Sequence, residues 1–157
     1  MIKEFAVERI RGNLDEINKY DKDLSLTILR EMGELGLLGI DVPEKFGGME
    51  MDKITTAIAA ESLSAGFCPS FTATWSVQTG IGSLPIVWFG TLEQKKKFLP
   101  TMVTAEKVGA YGLTEPEAGS DALAGRTTAM LTEDGKHYIL NGEKISFKTK
   151  NYQKTLH

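Results

Sequence analysis

The sequence predicts an α+β fold: an N-terminal all-helical bundle domain followed by the first strands of an incomplete antiparallel β domain. Three observations carry this. Up to about residue 107, apolar residues recur at steps of three and four, the period of a buried helix face. Beyond it, short β-prone runs surround Asp-Gly and Asn-Gly pairs, which favour tight hairpin turns. Helices first and strands after is the segregated order of α+β domains. The expected boundaries are 1–107 for the helical domain, 108–147 for the strands and 148–157 for a divergent polar tail.

Val7, Ile10, Leu14 and Ile17 line one face of a first helix. After the polar break from Asn18 to Asp23, Leu24, Ile28, Met32 and Leu35 line a second, with Gly33, Gly36 and Gly39 marking its weakening and end. Ile40 to Gly48 reads as a loop, because Pro43 cannot continue a helix and Gly47-Gly48 can take positive φ. Asp52 is a good N-cap for a third helix, running through Ile54, Ala57, Ile58 and Ala59 to about Ala65. Phe71 to about Leu84 is apolar on nearly all sides, as a central bundle helix would be. Pro85 and Gly90 break the pattern after Leu84. Thr91 and Gln94 make a capping box for a helix presenting Phe98, Leu99, Met102 and Val103 to the core, with Lys95, Lys96 and Lys97 in solvent.

Val108 to Leu113 is a strand candidate. Thr127–Thr132 and His137–Leu140 flank Glu133-Asp134-Gly135-Lys136 as a hairpin, and Asn141-Gly142 proposes a second turn toward Ile145 and Phe147. So few strands leave a sheet edge unpaired, which suggests an incomplete domain.

The 157 residues are 41% apolar and 25% charged, ordinary for a globular chain. Lys plus Arg is 18 against 21 for Asp plus Glu, and the net charge of -3 gives no general attraction to nucleic acid or anionic lipid. Cys68 has no partner for an internal disulfide, and His137 and His157 do not complete a metal site with it. The simplest compartment is a reducing cytoplasm. Met1–Arg11 is too charged for a secretory signal, and Phe71–Phe89 is too interrupted by polar residues to span a membrane.

The segment from Tyr111 to Asp121 concentrates the chemistry. A strand runs into Glu115-Pro116, which cannot pair as a central strand, and Gly119 and Ser120 then offer backbone amides and a hydroxyl in a turn. On physics alone, an ordinary strand-to-loop junction explains this more simply. Trp75 and Trp88 read as core or cleft-wall residues, Cys68 as a buried inert thiol and His137 as exposed. Gln78-Thr79-Gly80-Ile81-Gly82 reads equally as the lining of a cleft, where small residues leave room, or as close helix packing.

Tyr111-Gly112-Leu113-Thr114-Glu115-Pro116-Glu117-Ala118-Gly119-Ser120-Asp121-Ala122 resembles the flavin and acyl-CoA signature of the acyl-CoA dehydrogenase family. Further blocks agree in order: Leu35–Ile40 leading into Val42–Gly48, Phe89–Lys95 before Phe98-Leu99-Pro100, and Asp134–Lys144 after the signature. The resemblance runs from Ile2 to Ile145. It implies a flavoprotein that oxidises the Cα–Cβ bond of an acyl thioester, as in fatty acid β-oxidation. A carboxylate removes the α proton, a hydride leaves the β carbon for flavin N5, and electrons pass to an electron-transferring flavoprotein. The implied whole is a helical domain, a middle β domain and a C-terminal four-helix domain, assembled as a homo-oligomer.

By that resemblance Tyr111, Leu113 and Thr114 contact the isoalloxazine ring of FAD, while Gly119 and Ser120 approach the FAD phosphate and acyl-CoA, Ser120 also serving as a substrate contact. Glu115, Glu117 and Asp121 are expected to be structural, and no residue here inherits the catalytic base. The agreement breaks after Ile145. In direct register Ser146 takes an aromatic's place and Lys148 a threonine's, whereas a one-residue slip recovers Phe147 and Thr149 but reverses their faces. A shortened chain, inactive by itself, is the implied reading. The alternatives are a non-catalytic helical interaction module and a fragment of an acyl-CoA oxidase-like or nitroalkane oxidase-like enzyme.

Overall fold

In the computed structural model, residues 1–145 are described in full and 147–148 in their backbone. Ser146, Thr149 and the rest of the expected tail lie outside the described residues. The chain divides into two compact units meeting between Ala110 and Tyr111.

The first unit is helical. It opens with α1 (Ile2–Phe5), a π turn over Ala6–Ile10, a tight 3-10 turn over Arg11–Asn13 and α2 (Leu14–Asn18). The wider π turn shifts the buried face by one residue. Ala6, Ile10 and Ile17 are buried, while the expected Val7 is 40% exposed. Arg9 donates to both carboxylate oxygens of Glu31, at 2.7 and 2.6 Å, tying this opening stretch to α3 (Lys22–Glu34).

Helix α3 is capped by Asp21, whose carboxylate accepts from the Leu24 amide at 2.9 Å. It buries Ser25, Ile28, Leu29 and Met32. Gly33 stands in the last turn of the helix, and glycine is required there because a Cβ would sit 2.8 Å from the Val103 carbonyl oxygen. Between Ile40 and Gly48 it is Gly47 that takes positive φ, at 89°. Gly48 is needed for a different reason: a side chain there would collide with the Val42 backbone.

Asp52 caps α4 (Lys53–Leu63) through the Thr55 amide at 2.8 Å. This helix buries Ala59 and Leu63 and leaves Ile54 and Ile58 exposed. The helix expected from Phe71 to about Leu84 is α5 (Pro69–Val77) continued by a π turn over Gln78–Gly82, and after Ser83 a separate α6 (Leu84–Phe89) follows. Pro85 stands at the start of α6, where its missing N–H costs no hydrogen bond. Trp75 is in the core, and its indole N–H donates to the Leu37 carbonyl at 2.8 Å. Trp88, on α6, is 59% exposed and so is not a core residue, with the Lys53 ammonium 5.8 Å from its ring centre.

Gln78 is 1% exposed, and its amide reads the backbone of the domain's last turn. Nε2 donates to the carbonyls of Met102 and Lys107 at 2.8 and 3.1 Å, and Oε1 accepts from Gly109 N–H at 2.6 Å. For Gln78 the packing alternative therefore holds. The Thr91–Gln94 capping box forms in both directions and starts α7 (Leu92–Val103), which buries Leu99, Met102 and Val103. One core cluster gathers Ile10, Ile28, Leu29, Met32, Phe71 and Trp75, and a second joins Val42, Phe46, Leu99 and Val103.

The second unit has two antiparallel pairs. The strand expected over Val108–Leu113 is confined to β1 (Tyr111–Gly112), which pairs with β4 (Phe147–Lys148) in the register Tyr111↔Lys148 and Gly112↔Phe147. β2 (Thr128–Leu131) and β3 (Tyr138–Asn141) form the hairpin, with Met130 opposite Ile139. Gly135 takes φ 67° in its turn, as the Asp-Gly pair predicts. Among the described residues, no helix is long and apolar enough to cross a membrane.

Candidate functional site

Tyr111 and Leu113 lie two residues apart along an extended segment. The Ile145 N–H donates to the Thr114 carbonyl at 3.0 Å, which continues the β1–β4 register past Gly112. Two residues apart on an extended segment, Tyr111 and Leu113 share one face. Both are open to solvent, at 38% and 42% exposure, an apolar edge suited to a flat ring. Thr114 is half-buried, and Gly119 and Ser120 are exposed. A Cβ on Gly119 would meet nothing within 4 Å, so the chain's own packing does not require glycine there.

The loop between them is set by Glu115, which is 6% exposed. Its backbone bridges Ala118 in both directions, at 3.2 and 3.1 Å, closing a tight turn around Pro116-Glu117. Oε2 accepts from the Arg126 amide at 2.6 Å, and Oε1 from the Thr127 amide at 3.1 Å and the Lys144 ammonium at 2.7 Å. Lys144 also donates to the Leu113 carbonyl at 3.0 Å. The Lys144 hydrogen bond is the largest cause holding the Glu115 carboxyl down at about 2. The Thr127 hydroxyl lies close but makes no well-formed hydrogen bond, so Lys144 and the two amides carry the effect. An anion so engaged is a poor proton acceptor near neutrality, and its bonds tie the loop to the returning chain.

Glu117 is exposed and pairs with the Arg126 guanidinium at 2.7 Å. Asp121 is exposed and precedes a tight turn over Ala122–Ala124. An open hollow of about 300 Å³ borders this network, lined by residues that include Glu115, Ala118, Arg126, Thr127 and Gly142. None of the five expected site residues lines it; the hydroxyls of Thr114 and Ser120 do not meet there. Sequence reading missed Lys144 and the amides of Arg126 and Thr127. No local pattern links a lysine to a carboxylate 29 residues earlier. No group of three or more His, Cys, Asp or Glu side chains is placed to hold a metal ion among the described residues.

The family described as acyl-CoA dehydrogenase, N-terminal domain, matches residues 1–106. The chain belongs to the acyl-CoA dehydrogenase family. A probable acyl-CoA dehydrogenase of Bacillus subtilis is 48% identical over 143 residues, covering 90% of this chain and 24% of that protein. An acyl-CoA dehydrogenase of Bacillus anthracis, solved in complex with FAD, superimposes with a TM-score of 0.85 at 50% identity, over 91% of this chain and 24% of that one. Butyryl-CoA dehydrogenase of Megasphaera elsdenii gives 0.82 at 34% identity, over 96% of this chain and 39% of its own. The chain thus spans between a quarter and two fifths of the acyl-CoA dehydrogenases it matches.

Proposed function

We propose that this chain supplies the helical domain, 1–107, and the opening strands of the middle β domain, 108–147, of an FAD-dependent acyl-CoA dehydrogenase. The reaction is α,β-dehydrogenation of an acyl-CoA thioester, with electrons passed to an electron-transferring flavoprotein. The setting is cytoplasmic fatty acid β-oxidation, and the complete enzyme is a homo-oligomer. The observation carrying the reading is the exposed Tyr111–Leu113 face beside a loop locked by Glu115, in a chain whose solved relative from Bacillus anthracis holds FAD.

Tyr111, Leu113 and Thr114 would hold the isoalloxazine, and Gly119 and Ser120 would meet the phosphate and the acyl-CoA. The open space at Gly119 and the apolar edge at Tyr111 and Leu113 fit that group. FAD, when bound, supplies the hydride acceptor. Backbone amides and the Thr114 hydroxyl offer donors to the negative charge that hydride transfer creates, and the Ser120 hydroxyl can donate to an anion. No residue of this chain takes the role of α-proton base, so the chain alone does not turn over. Purified and mixed with FAD and an acyl-CoA, it should bind flavin weakly and show no thioester-dependent bleaching. Stoichiometric yellow protein that bleaches would overturn the inactivity. A chain that never responds to FAD would overturn the site.

A further inference from the structure

Resting on that reading, we infer that Lys144 and Glu115 are positioning residues for the flavin-facing segment, acting through the Leu113–Thr114 peptide. The Lys144 ammonium sits between two acceptors, the Glu115 carboxylate at 2.7 Å and the Leu113 carbonyl at 3.0 Å. Its side chain is 24% exposed and that of Glu115 is 7%. A peptide unit is planar and trans, so a cation fixed on the Leu113 carbonyl also fixes the Thr114 N–H, which points the opposite way. The same cation draws electron density toward the carbonyl oxygen and makes that N–H a stronger donor. Glu115 holds the ammonium in place, and through the Arg126 and Thr127 amides it ties the far end of the loop to the same point. Leu113 and Thr114 thereby share one anchor with the strand that returns through Lys144. Neither Lys144 nor Glu115 need touch the flavin to do this.

The test is titration of the whole chain with FAD, read by flavin fluorescence and by the amide NMR signals of Leu113 and Thr114. The wild type should show a saturable response on both amides. Lys144→Met should weaken FAD binding about tenfold, with thermal melting of the helical unit unchanged. Lys144→Arg, which keeps the charge, should stay within about threefold of wild type. If Lys144→Met does not fold, Glu115→Gln, matched in shape and neutral, serves instead and should also weaken binding. Wild-type affinity in the folded variant overturns this inference alone. No FAD response in the wild type overturns the functional reading, and the inference with it.

Discussion

At Glu115 three N–H donors converge on two carboxylate oxygens, and the consequence is a defined response to acid. The group titrates at about 2 in the folded chain against an ordinary value of 4.5, so its contribution is complete above the ordinary value and is lost as pH falls toward the folded one. Carboxyl NMR should follow Glu115 titrating near 2, and the Arg126 and Thr127 amides should lose protection from exchange over the same range. Titration near 4.5 would show that the network is not held. In the helical unit, Trp75 offers a second single-residue test. Trp75→Phe keeps an aromatic in the core but leaves the Leu37 carbonyl without its 2.8 Å donor. Chemical denaturation should show a loss of about 1–3 kcal/mol, the cost of a buried group left unpaired.

Among the elements, α7 begins where its sequence says, because both halves of its cap are local. Thr91→Ala removes the hydroxyl that accepts the Gln94 amide at 3.2 Å. It should cost about 1 kcal/mol in thermal or urea unfolding. Asp52 is legible for the same reason, its partner lying three residues on, whereas Asp21, a cap of the same kind, sits in a stretch that reads only as a polar break. The first helix was harder to read. A repeating step of three or four assumes a regular helix, and the π turn over Ala6–Ile10 moved burial from Val7 to Ala6. The central helix ends close to where Pro85 predicts, but its last stretch is a second π turn, Gln78–Gly82, which no local pattern announces. In the site, the segment 111–120 was visible as a motif, while its support was not. Lys144 meets Glu115 across 29 residues, and pairing at that distance is decided by the strand register rather than by neighbours in the chain.

Over the molecule as a whole, the two units differ in how they satisfy their apolar residues. The helical unit closes two cores around itself. The hairpin of the second unit shows apolar side chains on both faces, with Met130 opposite Ile139 and Leu131 opposite Tyr138, all more than half exposed. Apolar surface of that kind on a two-stranded ribbon ordinarily seeks a cover. The buried Gln78 amide has a further consequence, for cleavage. A trypsin site needs its peptide to leave the fold and lie extended in the enzyme, yet the Lys107 carbonyl is held by Gln78. Lys136 stands in an exposed turn. Brief digestion and mass spectrometry should find the bond after Lys136 cut before the bond after Lys107. Gln78→Ala should expose the bond after Lys107 to early scission, making one glutamine the guard against separation of the helical unit from the strands beyond it.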